Sequence, residues 1–111
     1  MIDMASDVLK PTEMAFISAI AALGENAFGL AIYEQACKAA ETKISYGSLY
    51  PTLDRLESAG LISSKHVPDP VRGGRPRRYF ELDAAGVRAH NSTLAAYKKL
   101  AQLPALNPQL G

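Results

Sequence analysis

Between residues 43 and 78 the chain carries Lys43, Arg55, Lys65, Arg72, Arg75, Arg77 and Arg78 against Asp54, Glu57 and Asp69, a local charge of +4. Residues 1–42 run the other way, with Lys10 and Lys38 against Asp3, Asp7, Glu13, Glu25, Glu34 and Glu41, a local charge of −4. The remainder adds +1, so the net charge of +1 over 111 residues hides a strongly basic middle. A local basic block is the electrostatic footprint of a surface that meets nucleic acid. A solvated loop would give the same count, so charge alone does not separate the two.

Other chemistries find little support. The single cysteine, Cys37, excludes an intrachain disulfide and a cysteine-built metal site. It falls in an apolar helical stripe, where a small buried hydrophobe is the expected role. His66 and His90 lack the spacing of metal ligands on a helix and read as surface or interface residues. There is no nucleophile–base pair, no metal cluster and no phosphate loop with a lysine, so no enzyme and no cofactor is expected. Residues 1–7 have neither a basic region nor an apolar run, and no segment is long and apolar enough to span a bilayer. The expectation is a cytoplasmic protein with no membrane association.

The elements that must position the basic residues follow from pattern. Residues 1–9 read as a short lead. Pro11 suits the first turn of a helix over residues 12–23, whose Ala15, Phe16, Ile17, Ala19, Ile20 and Leu23 cover most of its circumference. Gly24-Glu25-Asn26 breaks it. A second helix is predicted over residues 28–42, with Leu30, Ile32, Tyr33, Ala36, Cys37 and Ala40 as its apolar stripe. Ser45 reads as the N-cap of a third helix reaching Ala59, with Gly60 closing it. Its core row is Tyr46, Leu49, Tyr50, Leu53, Leu56 and Glu57, which leaves Gly47, Ser48, Pro51, Thr52, Arg55 and Ser58 outward. Pro51 falls near the first turn, where its cost is small. Residues 61–67 and 77–82 read as an antiparallel hairpin around a Gly/Pro-rich basic loop, and Asp83 caps a fourth helix over residues 84–103. Pro104 and Pro108 end regular structure.

Three helices, a hairpin with a basic tip and a last helix describe a mainly α fold with a small β-hairpin: a winged helix-turn-helix over residues 1–82 and a dimerisation helix and tail over residues 83–111. In that layout the third helix enters the major groove of duplex DNA, which is about 12 Å wide. Ser45, Tyr46, Ser48, Thr52 and Arg55 are the expected base- and phosphate-facing set, with Lys43 beside them. Tyr50 has two readings open, its ring in the core row and its hydroxyl toward a phosphate. Lys65, Arg72, Arg75 and Arg77, with Arg78, place arginine around Gly73-Gly74, which suits phosphates or a narrow minor groove. The fourth helix carries Val87, Leu94, Tyr97, Leu100 and Ala101 with little of its own domain left to cover, and the apolar first helix has the same problem. Packing Phe16 and Ile20 of one copy near Leu94, Tyr97 and Leu100 of another would cover both faces in a two-fold dimer on a palindromic operator. A winged-helix module that meets protein instead of DNA is the competing reading, but it has no need of the arginines in the wing.

The run from Ser45 to Ile62, reading SYGSLYPTLDRLESAGLI, resembles the signature of the PadR family of bacterial transcriptional regulators. Gly74-Arg75-Pro76-Arg77-Arg78-Tyr79-Phe80-Glu81-Leu82 followed by Gly86 is similar to that family's wing strand and helix entry. The resemblance extends over roughly residues 9–103. It implies a homodimeric repressor with a C-terminal dimerisation helix, and the single helix after the wing is similar to the short subfamily. It also implies release by a small aromatic effector or a stress signal, with Tyr97 on the last helix either beside such a ligand at the dimer interface or a structural aromatic of that interface. The chain has no tryptophan, so such a site would be built differently here.

Overall fold

The computed structural model describes residues 8–40 and 43–110, apart from the side chains of Arg72 and Leu110. Four helices and one hairpin follow in order: α1 (Pro11–Leu23), α2 (Gly29–Ala39), α3 (Leu49–Ser58), β1 (Ile62–Pro68), β2 (Pro76–Leu82) and α4 (Ala84–Ala101). Short 3₁₀ turns lie at Gly24–Asn26, Tyr46–Ser48, Pro70–Arg72 and Pro108–Leu110. This is the mainly α, single-hairpin arrangement expected from the pattern. The last turn lies beyond Pro104, where no regular structure was expected.

Helix α1 is the centre of the molecule. Pro11 occupies its first turn, where a missing N–H costs nothing, and Glu13 Oε1 accepts the Lys10 N–H at 2.9 Å. α2, α3, β2 and α4 all pack against α1. That surround explains an apolar circumference without a second chain. Phe16 and Ile20, expected at an interface between copies, are 0% and 2% exposed and lie inside the protomer's own core. They join Ile17, Ile32, Ala36, Leu49, Leu53, Leu56, Ile62 and Phe80 there. Burying each of the larger side chains contributes about 1.5–3 kcal/mol.

On α2 the buried residues are Gly29, Ile32 and Ala36, at the three- and four-residue spacing of one stripe. Cys37 stands about 100° round from Ala36 and is exposed, not buried as expected. α2 also ends earlier than expected, with Ala40 as its C-cap, and residues 41–42 of the predicted helix lie outside the described residues.

α3 closes as foreseen at Gly60. The Gly60 N–H donates to Glu57 O at 2.9 Å and the Leu61 N–H to Leu56 O at 3.0 Å, the paired bonds of a Schellman ending. The chain then turns into β1, which pairs with β2 from Ile62↔Leu82 through Ser64↔Phe80 and His66↔Arg78 to Pro68↔Pro76. One pleat face carries Ile62, Ser64, His66, Arg78 and Phe80; the other carries Ser63, Lys65, Val67, Arg77, Tyr79 and Glu81. The link between α1 and α2 adds a single antiparallel bridge, Phe28↔Tyr79, with Phe80 N–H donating to Ala27 O at 2.8 Å.

α4 docks by its small residues. Gly86, Ala89 and Thr93 are buried, and the Gly86 Cα lies so close to β1's entry that a Cβ there would come within 2.1 Å of Leu61 O. Asp83 takes the N-cap position without capping; its carboxylate accepts from Ser63 Oγ instead. The lead is tied down too: Leu9 is 5% exposed, and its N–H donates to Thr93 Oγ1. The radius of gyration is 16.3 Å, above the roughly 13 Å of a compact chain of this length, and the far half of α4 is largely exposed.

Candidate nucleic-acid interface

The approach to α3 is built by aromatic packing. Tyr33 of α2 donates its hydroxyl to Ile44 O at 2.7 Å, and its ring meets Tyr46 edge-on, centroids 5.2 Å apart at 85°. Hydrogen bonding to its Cys37 neighbour and desolvation both push the Tyr33 hydroxyl above its usual pKa. The spacing places Tyr33 only in an apolar stripe and carries no mark of the residue that fixes the entry to α3.

That entry is a 3₁₀ turn. Ser45 makes no side-chain cap bond; its carbonyl accepts both the N–H of Ser48 at 3.2 Å and its Oγ at 2.8 Å. A 3₁₀ turn advances about 120° per residue against 100° in an α-helix, so Tyr46 stands roughly 60° off the phase it would hold in a continuous helix. Within α3 itself, at 100° per residue, Leu49, Thr52, Leu53 and Leu56 fall on one face and form the buried row. Thr52, expected outward, is 4% exposed, while Tyr46 and Tyr50, expected in the core row, are 54% and 39% exposed. Tyr50 and Thr52 exchange places. Tyr50 lies over the start of α2, where a Cβ on Gly29 would fall 2.1 Å from its hydroxyl oxygen.

Of the remaining expected residues, Lys43, Ser45 and Arg55 are exposed and Ser48 is half-buried. Arg55 leans toward α1, its Nε 3.8 Å from Glu13 Oε2, a pair open enough to water to contribute little. Arg77 lies on β2 with its guanidinium 4.0 Å from the Phe28 ring centroid. It shares a crease with Phe28, Gly29, Tyr46, Tyr50 and His66, of about 410 Å³, between the start of α3, the start of α2 and the wing. Arg75 is exposed in the wing loop, and the Arg72 side chain lies outside the described residues.

Arg78 also lines this crease, and Lys65 stands apart from it. Lys65 shares a pleat face with Arg77 but lies nearer the base of the hairpin, where it lines a groove with Ser63, Val67, Tyr79 and the C-terminal end of α1. Arg78, grouped by sequence with the arginines of the wing loop, turns back toward α3 instead: its Nη2 lies 2.7 Å from Glu57 Oε1 and 3.1 Å from Asp54 Oδ1. The wing loop itself is ordered by Asp69, whose carboxylate accepts the Val71 N–H at 3.0 Å and whose carbonyl accepts the Gly74 N–H at 2.9 Å. Gly73 and Gly74 both have positive φ, 73° and 81°, a conformation that disfavours a side chain at the tip.

No group of three or more His, Cys, Asp or Glu among the described residues could hold a metal. No helix among them is long and apolar enough to cross a membrane.

Comparison with known proteins agrees with this geometry. The chain is 41% identical over 61 residues to the transcriptional regulator Rv3488 of Mycobacterium tuberculosis, a match spanning 54% of this chain and 53% of that protein. A PadR family transcription regulator from Clostridium difficile R20291 superposes with a TM-score of 0.71 at 20% identity, covering 84% of this chain and 93% of the other. BpsR of Bordetella bronchiseptica superposes with a TM-score of 0.68 at 15% identity, covering 97% and 74%. These two structures share the fold. The model of the transcriptional regulator PadR-like family matches residues 19–92, from the middle of α1 into α4. With two thirds of its length inside that match and a winged helix in its structure, the chain belongs to the PadR-like family of transcriptional regulators.

Proposed function

We propose that this regulator is a homodimeric, cytoplasmic repressor that binds a palindromic DNA operator and is released by a small aromatic effector. The observation that carries the DNA reading is the shared crease: Tyr46 and Tyr50 at the start of α3 stand beside Arg77 of the wing. A helix and a wing facing the same side can meet a major groove and the flanking backbone together. In this reading Ser45, Tyr46, Ser48 and Arg55 approach bases and phosphates. Lys43, Tyr50, Arg75 and Arg77 hold the backbone, joined by Arg72 of the loop and Lys65 of β1. Thr52 has no place in that set, because it is buried.

The dimer reading rests on α4. Val87, Leu94, Tyr97 and Leu100 are exposed along it, an apolar surface that a second copy would cover. The effector reading places the ligand beside Tyr97, and the Bordetella relative, whose DNA binding is regulated by 6-hydroxynicotinic acid, supports that class of ligand. Selection of duplexes from a random pool, repeated with aromatic acids present, tests the reading. A palindromic motif bound with steep salt dependence and weakened by such an acid is the expected result. Binding without sequence preference would refute the operator, and indifference to every aromatic acid would refute the effector.

A further inference from the structure

Resting on that reading, we infer that Arg78 is a positioning residue, not a DNA contact: it clamps the wing to the recognition helix through Glu57, so that helix and wing meet the duplex as one rigid unit. Its Nη2 meets Glu57 Oε1 at 2.7 Å and Asp54 Oδ1 at 3.1 Å, and its Nε donates to Ser64 Oγ at 3.1 Å. Ser64 Oγ in turn donates to Glu57 Oε1 and Oε2 at 2.9 and 3.1 Å. The guanidinium also lies 4.7 Å from the Phe80 ring centroid. One side chain thus joins α3, β1 and β2, with its bonds directed away from the wing tip.

The physical need is plain. A two-stranded ribbon is weakly stable by itself and free to bend about its base. Two contact elements gain from each other only when their separation is held near the span of the target, since the second contact then forms at high effective concentration. A planar guanidinium bonded at Nε and Nη2 fixes direction as well as distance. Asp54 and Glu57 sit three residues apart on α3, so the clamp grips one turn of that helix from the side facing the hairpin. Glu57 then has a use that its charge conceals. A carboxylate beside a DNA-binding helix repels phosphate, and its removal alone should tighten binding; as half of a clamp, its removal should weaken binding.

That opposition of signs makes the test. Glu57→Gln, Arg78→Gln, their double variant and Asp54→Asn are made in the full chain. Affinity for the duplex selected by the wild type is titrated across salt, with thermal melting alongside. Glu57→Gln and Arg78→Gln are each expected to weaken binding roughly tenfold, the lower end of what a charge-assisted network is worth. The salt slope should not change, and the double variant should be no weaker than the worse single one. Asp54 is 61% exposed, so its neutral variant does not threaten the fold; a two- to threefold loss is expected from it, a weak partner's share. The proposal is overturned if Glu57→Gln binds as tightly as the wild type or tighter. It is equally overturned if Arg78→Gln flattens the salt slope by about one, the mark of a lost phosphate contact. Should Arg78→Gln fail to fold, Asp54→Asn decides, and unchanged affinity there refutes the clamp. A wild type that binds no duplex in a salt-sensitive way refutes the DNA reading as well, whereas the other outcomes leave that reading standing.

Discussion

The backbone N–H of Leu9 donates to Oγ1 of Thr93 at 2.8 Å, and that oxygen donates onward to Ala89 O at 2.8 Å. This two-step chain pins the segment before α1 to the middle of α4, inside the buried part of the molecule. Thr93→Val keeps the shape and removes the acceptor, leaving a buried N–H unpaired, at a cost of about 1–3 kcal/mol. Thr93→Ser restores the acceptor and should recover much of the loss. Thermal melting at one fixed protein concentration, which a self-associating chain requires, checks both. Equal melting of the Val variant and the wild type would contradict the latch.

Gly86 answers for the seating of α4. Alanine improves helix propensity by about 1 kcal/mol, but its Cβ would meet the backbone carbonyl of Leu61 at 2.1 Å. A backbone carbonyl cannot swing aside, and overpacking costs up to about 3 kcal/mol. The clash outweighs the propensity, so Gly86→Ala is expected to destabilise by about 2 kcal/mol. A stabilised variant in a denaturant titration would show that α4 docks less closely than described.

Arg77 supplies charge at the crease while stacking on Phe28. Arg77→Ala should weaken binding to all duplexes alike and flatten the salt slope by about one unit. Arg77→Lys should keep the slope, since the charge remains, and lose the stacking worth about 0.5–1 kcal/mol at an exposed site. Anisotropy titrations at several salt concentrations separate these outcomes. Unaltered affinity and slope in the Ala variant would remove Arg77 from the interface.

Leu94 and Leu100 are exposed on α4, so glutamate at both should leave the protomer folded. The paired substitution is expected to abolish the dimer and, with it, high affinity for a palindrome, while weak half-site binding survives. Sedimentation of the variant checks this. Truncating α4 would be a poorer experiment, because Ala89 and Thr93 belong to the core of the protomer. A stable dimer after the double substitution would place the interface elsewhere.

The elements and their order were legible from local chemistry. Pro11 at a helix start, Gly60 at a helix end and the Gly73-Gly74 tip act through the backbone within a few residues, so composition and spacing suffice to locate them. The basic middle of the chain was legible for the same reason. What each side chain faces depended on the tertiary structure. The way α3 docks buried Thr52 and left Tyr50 lying over Gly29 of α2, while the 3₁₀ turn at Tyr46–Ser48 took Tyr46 out of the core row. Cys37 came to the surface because one stripe of α2 was already filled by Ile32 and Ala36. Phe16 and Ile20 were covered because four elements surround α1, a fact of three-dimensional packing that no apolar count distinguishes from a dimer face. Arg77 and Arg78 are adjacent in sequence, yet the alternation of a strand stacks one on Phe28 and pairs the other with Glu57. Charge is written residue by residue; the partner that each charge meets is decided only when distant segments come together.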